Sequence, residues 1–576
     1  MSFDLLFTES GILRNELKVG VVSTVTAQGI KINLAHAGDA SGSYIDGARY
    51  GRGEVGELLL IEGQQSISLG RLTEVSLPDR DRSELSQDFN GTNQLDAIGF
   101  VQLLGSINIE HLKVQAGISS YPRLGDRVFS APSEFISALP ELMNGGVTAE
   151  SSSPITIELG EVTGETGSKI RVTPEKLFGR HCAILGSTGG GKSWTTAKII
   201  EECARYKNSK VILIDATSEY RSLSISYTEH FHLGSPIHRS EESKEVCIPP
   251  TDFIESDFIA MFDPAGKVQG PKLREAIKSL RLAKLNPHIF PEGYVPKVRQ
   301  SKGNYRVAMN TNGSAQLVDD PSQPFDTSML IKQIQEECCQ PDYNGVGKWG
   351  NEDGNAVSFC SSLFTRILGV LHSDSLKSVF RAKADTESLG GVFDNFFKGD
   401  KKVLRLCLSD VSYQFYAREV LANVIGRKLL SLARNEHFRN KPVLAIVDEA
   451  HNFLGKRIGA EDHSTKLDSF EIIAKEGRKY GLNICLATQR PRDITEGVLS
   501  QMGTLLVHRL TNDRDREVVE RACGEIDRSA ASFLPNLKQG EVALVGVDFP
   551  IPMTIQIDKP MYPPKSDGPS FQKIWC

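Results

Sequence analysis

The ten cysteines of this 576-residue chain never fall into the paired C-x-x-C spacing that a zinc site favours, and no histidine pair stands at metal-ligand spacing. They read as reduced, mostly buried thiols. No uninterrupted apolar run approaches the roughly 20 residues of a membrane-spanning helix, and the N-terminal MSFDLLFTESGILRNEL lacks the basic-then-apolar layout of a signal peptide. A cytoplasmic protein without membrane contact is expected. Excess positive charge is missing too: 66 Lys and Arg stand against 72 Asp and Glu, a net charge of −6. That balance argues against coating nucleic acid with the whole surface and leaves only a local channel or patch for such contact. Internal repeats and low-complexity segments are absent. So is any cluster of carboxylates with a lysine, beyond the set described below, that would make a nuclease.

What is present is an ordinary globular composition, 40% hydrophobic and 24% charged, in a chain long enough for two or more domains. Residues 1–150 carry short strand-like runs punctuated by glycine: KVGVVSTV, GIKINLAHAG, GELLLIEG, SISLGRLTEVSL, FVQLLGSINI and GDRVF. Two-residue alternation is clear at Ile30, Ile32 and Leu34. A small closed barrel is expected, because closure removes sheet edges most economically in a short chain. The polar stretch at 78–94 then reads as an inserted loop, and GGVTAESSSP marks a boundary near residue 150. From about 155, strands alternate with helices, as in a parallel sheet covered on both faces. The pattern runs through 151–240 and is interrupted by a mainly helical insertion over 241–400, with PKLREAIKSLRLAKL and DTSMLIKQIQEECC as helices. It resumes over 401–576 with KVLRLCLSDV, a helix from Tyr416 to Arg434, KPVLAIVDEAHNF and NICLATQ.

The chemistry concentrates in two places. Gly186, Ser187, Thr188, Gly189, Gly190, Gly191, Lys192 and Ser193 fit G-x-x-x-x-G-K-S between a strand and a helix. Glycines let the backbone wrap phosphates so that amide N–H groups and the helix N-terminus meet the charge. Lys192 would reach the β and γ phosphates, and the Ser193 hydroxyl would ligate Mg²⁺. In VLAIVDEAH, a buried strand carries Asp448 and Glu449 to its carboxyl end, where ligands bind in open α/β sheets. Asp448 would hold the metal and Glu449 would orient and polarise the attacking water. The long separation of the two motifs calls for an insertion domain between them. Gln489, just beyond the strand ICLAT, is either a sensor of the γ phosphate or simply a polar strand end. Arg478, at a helix end, is either a finger acting on a neighbour's nucleotide or a solvated cation. Asp215 and Glu219, in LIDATSEY, are either site carboxylates or a solvated turn. Lys and Arg in KVRQSKGNYR are either phosphate contacts or a solvated charged loop.

The runs RVTPEKLFGRHCAILGSTGGGKS, LIDATSEY, VDEAH, EGRKYGLNICLATQRP, QMGTLLVHRLTNDRD and LKQGEVALVGVDFPIPMTIQI resemble the HerA family of hexameric DNA translocases throughout residues 150–560, and the N-terminal β region resembles that family's HAS barrel. The resemblance implies a RecA-like P-loop core related to the FtsK class. It further implies a homo-hexameric ring that hydrolyses ATP with Mg²⁺ between subunits and draws double-stranded DNA through its pore. Lys192 and Ser193 then bind phosphate and metal, Asp448 and Glu449 form the hydrolytic pair, Gln489 is the sensor and Arg478 the finger acting in trans. Asp215 and Glu219 match acidic positions of the family, with ATS between them where the family commonly has a Pro-His-Gly-like sequence. Arg509 matches a recurrent arginine.

The resemblance also implies a separate effector, a nuclease in DNA end processing or a sirtuin-like NADase in anti-phage defence. The barrel, which lacks any catalytic constellation, is the expected docking surface, with avidity across six copies. The competing expectation is an ATP-controlled hexameric scaffold that assembles and activates an effector with little translocation.

Overall fold

Alternation in GIKINL puts Ile30, Ile32 and Leu34 on one face of the strand Gly29–Leu34, and all three are fully buried. The same period brings Val19, Leu59, Ile61, Leu72, Val101 and Val128 from other strands into one cluster with them. Around that cluster the strands run Gly29–Leu34, Lys18–Thr26, Arg127–Ser130, Leu58–Ile61, Ser66–Ser76 and Ala97–Asn108. The last pairs back onto the first, with Ile30 opposite Val101 and Leu34 opposite Ala97. The N-terminal region is therefore a closed six-stranded barrel, built from the six runs that its sequence marks.

The computed structural model describes residues 12–566, 571 and 575, apart from 35–42, 46–47, 52, 65, 78–96, 109–113, 144–154, 164–168, 312, 342–346, 455–456, 459–464 and 523–532. The expected loop at 78–94 and the whole boundary segment GGVTAESSSP lie outside the described residues. By internal contacts the chain forms two units, residues 1–202 with 488–561 and residues 203–487 with 562–576.

The first unit contains the barrel and six further strands in the order Lys169–Val172, Ile157–Val162, Phe549–Ile557, Glu541–Gly546, Thr504–Val507 and Cys182–Leu185. Only the last two are parallel to each other; the remaining neighbours are antiparallel. The parallel sheet expected from the alternating pattern is thus corrected here to a mixed one. Val547 and Asp548 alone separate Glu541–Gly546 from Phe549–Ile557, and so short a link can join only antiparallel strands.

The second unit holds a wholly parallel set: Leu482–Thr488, Val443–Val447, Lys210–Asp215, Val403–Cys407, Thr228–His232 and Lys244–Glu245. Every residue of Lys210–Asp215, Val403–Cys407 and Val443–Val447 is buried, as strands covered on both faces require. Asp215 and Asp448 stand side by side at the carboxyl ends, where the Asp448 amide donates to the Ile214 carbonyl at 3.1 Å. The insertion is mainly helical, including Glu255–Phe262, Gly266–Leu285, Leu330–Glu337, Gly354–His372 and Leu389–Lys398.

Gly354–His372 is, by length and composition, long and apolar enough to cross a membrane, the one such helix among the described residues. Ser361, Ser362, Thr365 and Arg366 interrupt its apolar residues, so it is not the uninterrupted apolar run that the sequence lacks. Its face of Ala356, Cys360, Leu363, Ile367 and Val370 is buried, and it packs against Glu255–Phe262 and Gly266–Leu285. Of the described cysteines, none in a disulfide, Cys182, Cys203, Cys338, Cys360, Cys407 and Cys485 are buried.

Candidate functional site

Strand Cys182–Leu185 delivers the chain into the glycine loop, and helix Lys192–Ala204 begins at the lysine. The loop is pinned from both ends. The Ser187 amide and hydroxyl donate to the Arg509 carbonyl at 3.1 and 3.0 Å, and the Gly540 amide donates to the Gly190 carbonyl at 3.2 Å. Two glycines are sterically required. A Cβ on Gly186 would lie 2.5 Å from the Cβ of His508, and Gly191, at φ 109°, would place one 3.2 Å from both the Gly540 Cα and the His508 ring. The first helical turn leaves backbone N–H groups without intrahelical partners, beside the Lys192 side chain. Ser193 is half-buried and its hydroxyl makes no hydrogen bond to a described residue.

His508 is the functional residue of this unit that sequence reasoning missed. It follows strand Thr504–Val507, is fully buried, and meets the Thr195 hydroxyl at 2.9 Å through Nε2, tying the loop to the first turn of the helix. Burial, and secondarily the Lys192 charge, hold its pKa down at about 3, so it is neutral at physiological pH and adds no cation beside Lys192. A histidine directly before the singled-out Arg509 was the available signal. Arg509 itself is exposed and lies beyond the strand; its backbone carbonyl, not its side chain, meets the loop. Gln489 follows strand Leu482–Thr488, and its Oε1 accepts from the Thr188 hydroxyl at 2.5 Å. The structure thus joins Gln489 to the glycine loop.

In the second unit, Asp448 and Glu449 directly follow strand Val443–Val447 and are 4% and 8% exposed. Glu449 takes a left-handed backbone, φ 48° and ψ 45°, and its Oε2 lies 3.3 Å from His451 Nδ1. Such a conformation in a non-glycine residue costs about 1 kcal/mol or more and concentrates at functional sites.

Asp215 is not in a solvated turn; it is wholly buried. Its Oδ2 accepts from Arg405 Nε at 2.7 Å and from the Tyr220 amide at 3.2 Å, while Oδ1 accepts from the Thr217 amide at 3.2 Å. Arg405 rises from the middle of Val403–Cys407, is itself fully buried, and donates also to the Ser218 hydroxyl at 3.0 Å. Its charge, after burial, helps hold the His230 pKa down at about 4. Sequence reasoning did not single out Arg405, although an arginine inside an apolar strand demands a buried partner. Glu219 is half-buried, and one carboxylate oxygen, Oε2, is enclosed without a hydrogen bond.

Arg478 lies in the short turn Gly477–Tyr480 after helix Ser469–Glu476, exposed; its carbonyl accepts from the Gly481 amide at 3.2 Å, and its side chain makes no hydrogen bond or ion pair to a described residue. In KVRQSKGNYR, Lys297 is not a solvated cation: it is buried against Glu337 at 2.6 Å.

The profile of the family described as "Helicase HerA, central domain" matches residues 157–336, extending well into the helical insertion. The DNA double-strand break repair helicase HerA of Pyrococcus furiosus is 34% identical over 423 residues, covering 70% of this chain and 69% of that protein. Its namesake in Sulfurisphaera tokodaii is 25% identical over 412 residues, with coverage of 70% and 69%. Among solved structures, the plasmid coupling protein TrwB in complex with ADP and Mg²⁺ aligns at a TM-score of 0.44 and 12% identity, covering 74% of this chain and 92% of that one. With a glycine loop opening a helix, a carboxylate pair ending a parallel strand, and this degree of identity to the Pyrococcus protein, the chain belongs to the HerA family and is a RecA-like P-loop ATPase with an N-terminal barrel.

Proposed function

We propose that the chain is the subunit of a homo-hexameric ring that hydrolyses ATP to draw double-stranded DNA through its pore. The observation that carries this is the division of labour between two preformed elements: a glycine loop fixed by His508 and Arg509, and a buried carboxylate pair whose Glu449 is held in a strained conformation. The loop suits a triphosphate because Gly189 and Gly191, at φ 75° and 109°, give it a backbone path that turns amide N–H groups toward an anion. Bound Mg²⁺–ATP would supply the phosphoanhydride bond and a metal to neutralise charge developing on the phosphates.

Lys192 and the first-turn amides would bind the phosphates, and Ser193 and Asp448 would hold the metal. Glu449 orients the attacking water and accepts its proton. Gln489, held by Thr188, reports the state of the phosphate end to the strand behind it. Arg478, exposed and uncommitted, serves the neighbouring subunit's nucleotide. Asp215, fully engaged by Arg405 and two amides, positions the turn that carries Glu219. The barrel, closed and rigid, forms the ring's collar and docks a separate nuclease or NAD-consuming effector, in DNA end processing or anti-phage defence.

Steady-state ATP hydrolysis with and without duplex DNA tests this reading. Stimulation by duplex is expected, with Lys192→Ala failing to bind ATP and Glu449→Gln binding without hydrolysis. A rate indifferent to duplex would point to an ATP-controlled scaffold instead. Equal loss of ATP binding in both variants would remove Glu449 from its role.

A further inference from the structure

The helical insertion contains a cavity of about 400 Å³ far along the chain from either motif, within the size range of small-ligand sites. Its floor is apolar, from Phe290 and Val295. Its wall is aromatic: Tyr305 and Trp349 meet edge to face at 5.4 Å, and both line the space. Backbone pairing brings the two ends of the wall together, with the Trp349 amide donating to the Gln300 carbonyl at 2.9 Å and the Lys302 amide to the Gly347 carbonyl at 2.8 Å.

The rings are fixed in advance. The Lys297 ammonium, outside the cavity lining, sits 5.2 Å from the Tyr305 ring centre and 5.5 Å from that of Trp349. It is locked there by buried Glu337, which also accepts from the Ser279 hydroxyl at 2.7 Å and the Gln333 amide at 3.0 Å. A wall held this firmly loses little entropy when a flat ligand stacks on it. Exposed Gln300 and Asn304 line the rim, and their side chains make no hydrogen bond to a described residue. The segments that form the rim carry Arg299, Lys302, Arg306 and Lys348. Among the described residues one carboxylate lines the cavity, Glu292, and it is engaged by the Tyr294 hydroxyl.

We propose that this cavity is a nucleobase site, in which a base stacks on the Tyr305–Trp349 wall, Gln300 and Asn304 read its edge, and the flanking cations meet its phosphate. Aromatic faces accept any base, paired amides discriminate among edges, and basic flanks favour a phosphate-bearing ligand over an uncharged peptide. The base arrives either on a free nucleotide or on an unpaired stretch of single-stranded nucleic acid. The site is independent of the ATPase centre, so its failure would leave duplex-stimulated hydrolysis untouched.

The test uses the full chain carrying Lys192→Ala, which removes nucleotide binding at the glycine loop. Binding of a fluorescent eight-nucleotide oligo(dT), of each ribonucleoside monophosphate, and of a 20-base-pair duplex is measured by anisotropy and competition. Crosslinking of an iodouridine-substituted oligonucleotide is mapped by mass spectrometry. A crosslink at Tyr305 or Trp349 is expected, with Trp349→Ala weakening the single strand about tenfold, Trp349→Phe retaining most of the affinity, and duplex binding unchanged. Competition by monophosphates assigns the site to free nucleotides; its absence assigns it to strands. Should Trp349→Ala fail to fold, the exposed Asn304→Ala decides by altering the preference among bases. The proposal is overturned if neither class of probe binds, or if the folded Trp349 and Asn304 variants bind all probes as the parent does.

Discussion

Arg405→Met is expected to unlatch the turn at 215–220. Arg405 and Asp215 are both wholly inaccessible to solvent and joined at 2.7 Å, so the substitution leaves a carboxylate in a dry site with only two backbone N–H donors, each at 3.2 Å. Methionine roughly preserves the volume of the arginine stem, which keeps any cavity contribution small. Breaking a buried pair by removing one partner costs about 3–5 kcal/mol, equivalent to ~10²–10³-fold or more in local opening at 1.36 kcal/mol per tenfold. Adding Asp215→Asn removes the stranded charge while its carbonyl still accepts an amide, and is expected to restore most of the loss. Hydrogen exchange of peptides covering 210–223 and 403–408 reads the effect directly, without requiring the whole chain to unfold in one step. An Arg405→Met chain within about 1 kcal/mol of the parent, or a double variant no more protected than the single one, would refute the positioning role given to Asp215.

Three further outcomes are expected. Mixing Arg478→Ala subunits with Glu449→Gln subunits should regenerate hydrolysis at interfaces where an intact Glu449 faces an intact Arg478; inactive mixtures shown to exchange subunits would exclude a finger in trans. His508, His230 and His232 are held at about 3, 4 and 4 chiefly by burial. The unfolded chain therefore binds protons more readily below the ordinary value near 6.5, and their contribution, complete above it, falls by about 2 kcal/mol per histidine by pH 5; a thermal midpoint unchanged between pH 7.5 and pH 5 would contradict their buried, neutral state. Deleting residues 1–150 should abolish co-purification of the proposed effector while leaving ATP binding at Lys192 intact, and its retention would move the proposed docking surface to the insertion.

The barrel was legible because Ile30, Ile32 and Leu34 alternate without interruption and glycines punctuate the six apolar runs. The glycine loop and the VLAIVDE strand were legible because each couples an apolar run to residue types that have few other uses. Arg405 was not, since its partner lies almost two hundred residues away and only the parallel register of the two strands brings them together. His508 escaped for a related reason: its role is to fill the space that Gly186 and Gly191 leave, which a sequence expresses only as glycines. The mixed sheet of the first unit was hidden because apolar runs give strands but not their directions, and only the two-residue link at Val547 and Asp548 makes that pair antiparallel.

The central claim is that hydrolysis at the Lys192 and Glu449 elements drives motion along duplex DNA. Displacement of a fluorescent triplex-forming strand from a long duplex measures that motion without requiring strand separation. ATP should release the third strand at a rate that lengthens in onset with the distance to be travelled, and Glu449→Gln should release none while still binding ATP. Displacement by Glu449→Gln equal to that of the parent, or none by a parent chain whose ATPase responds to duplex, would contradict the account.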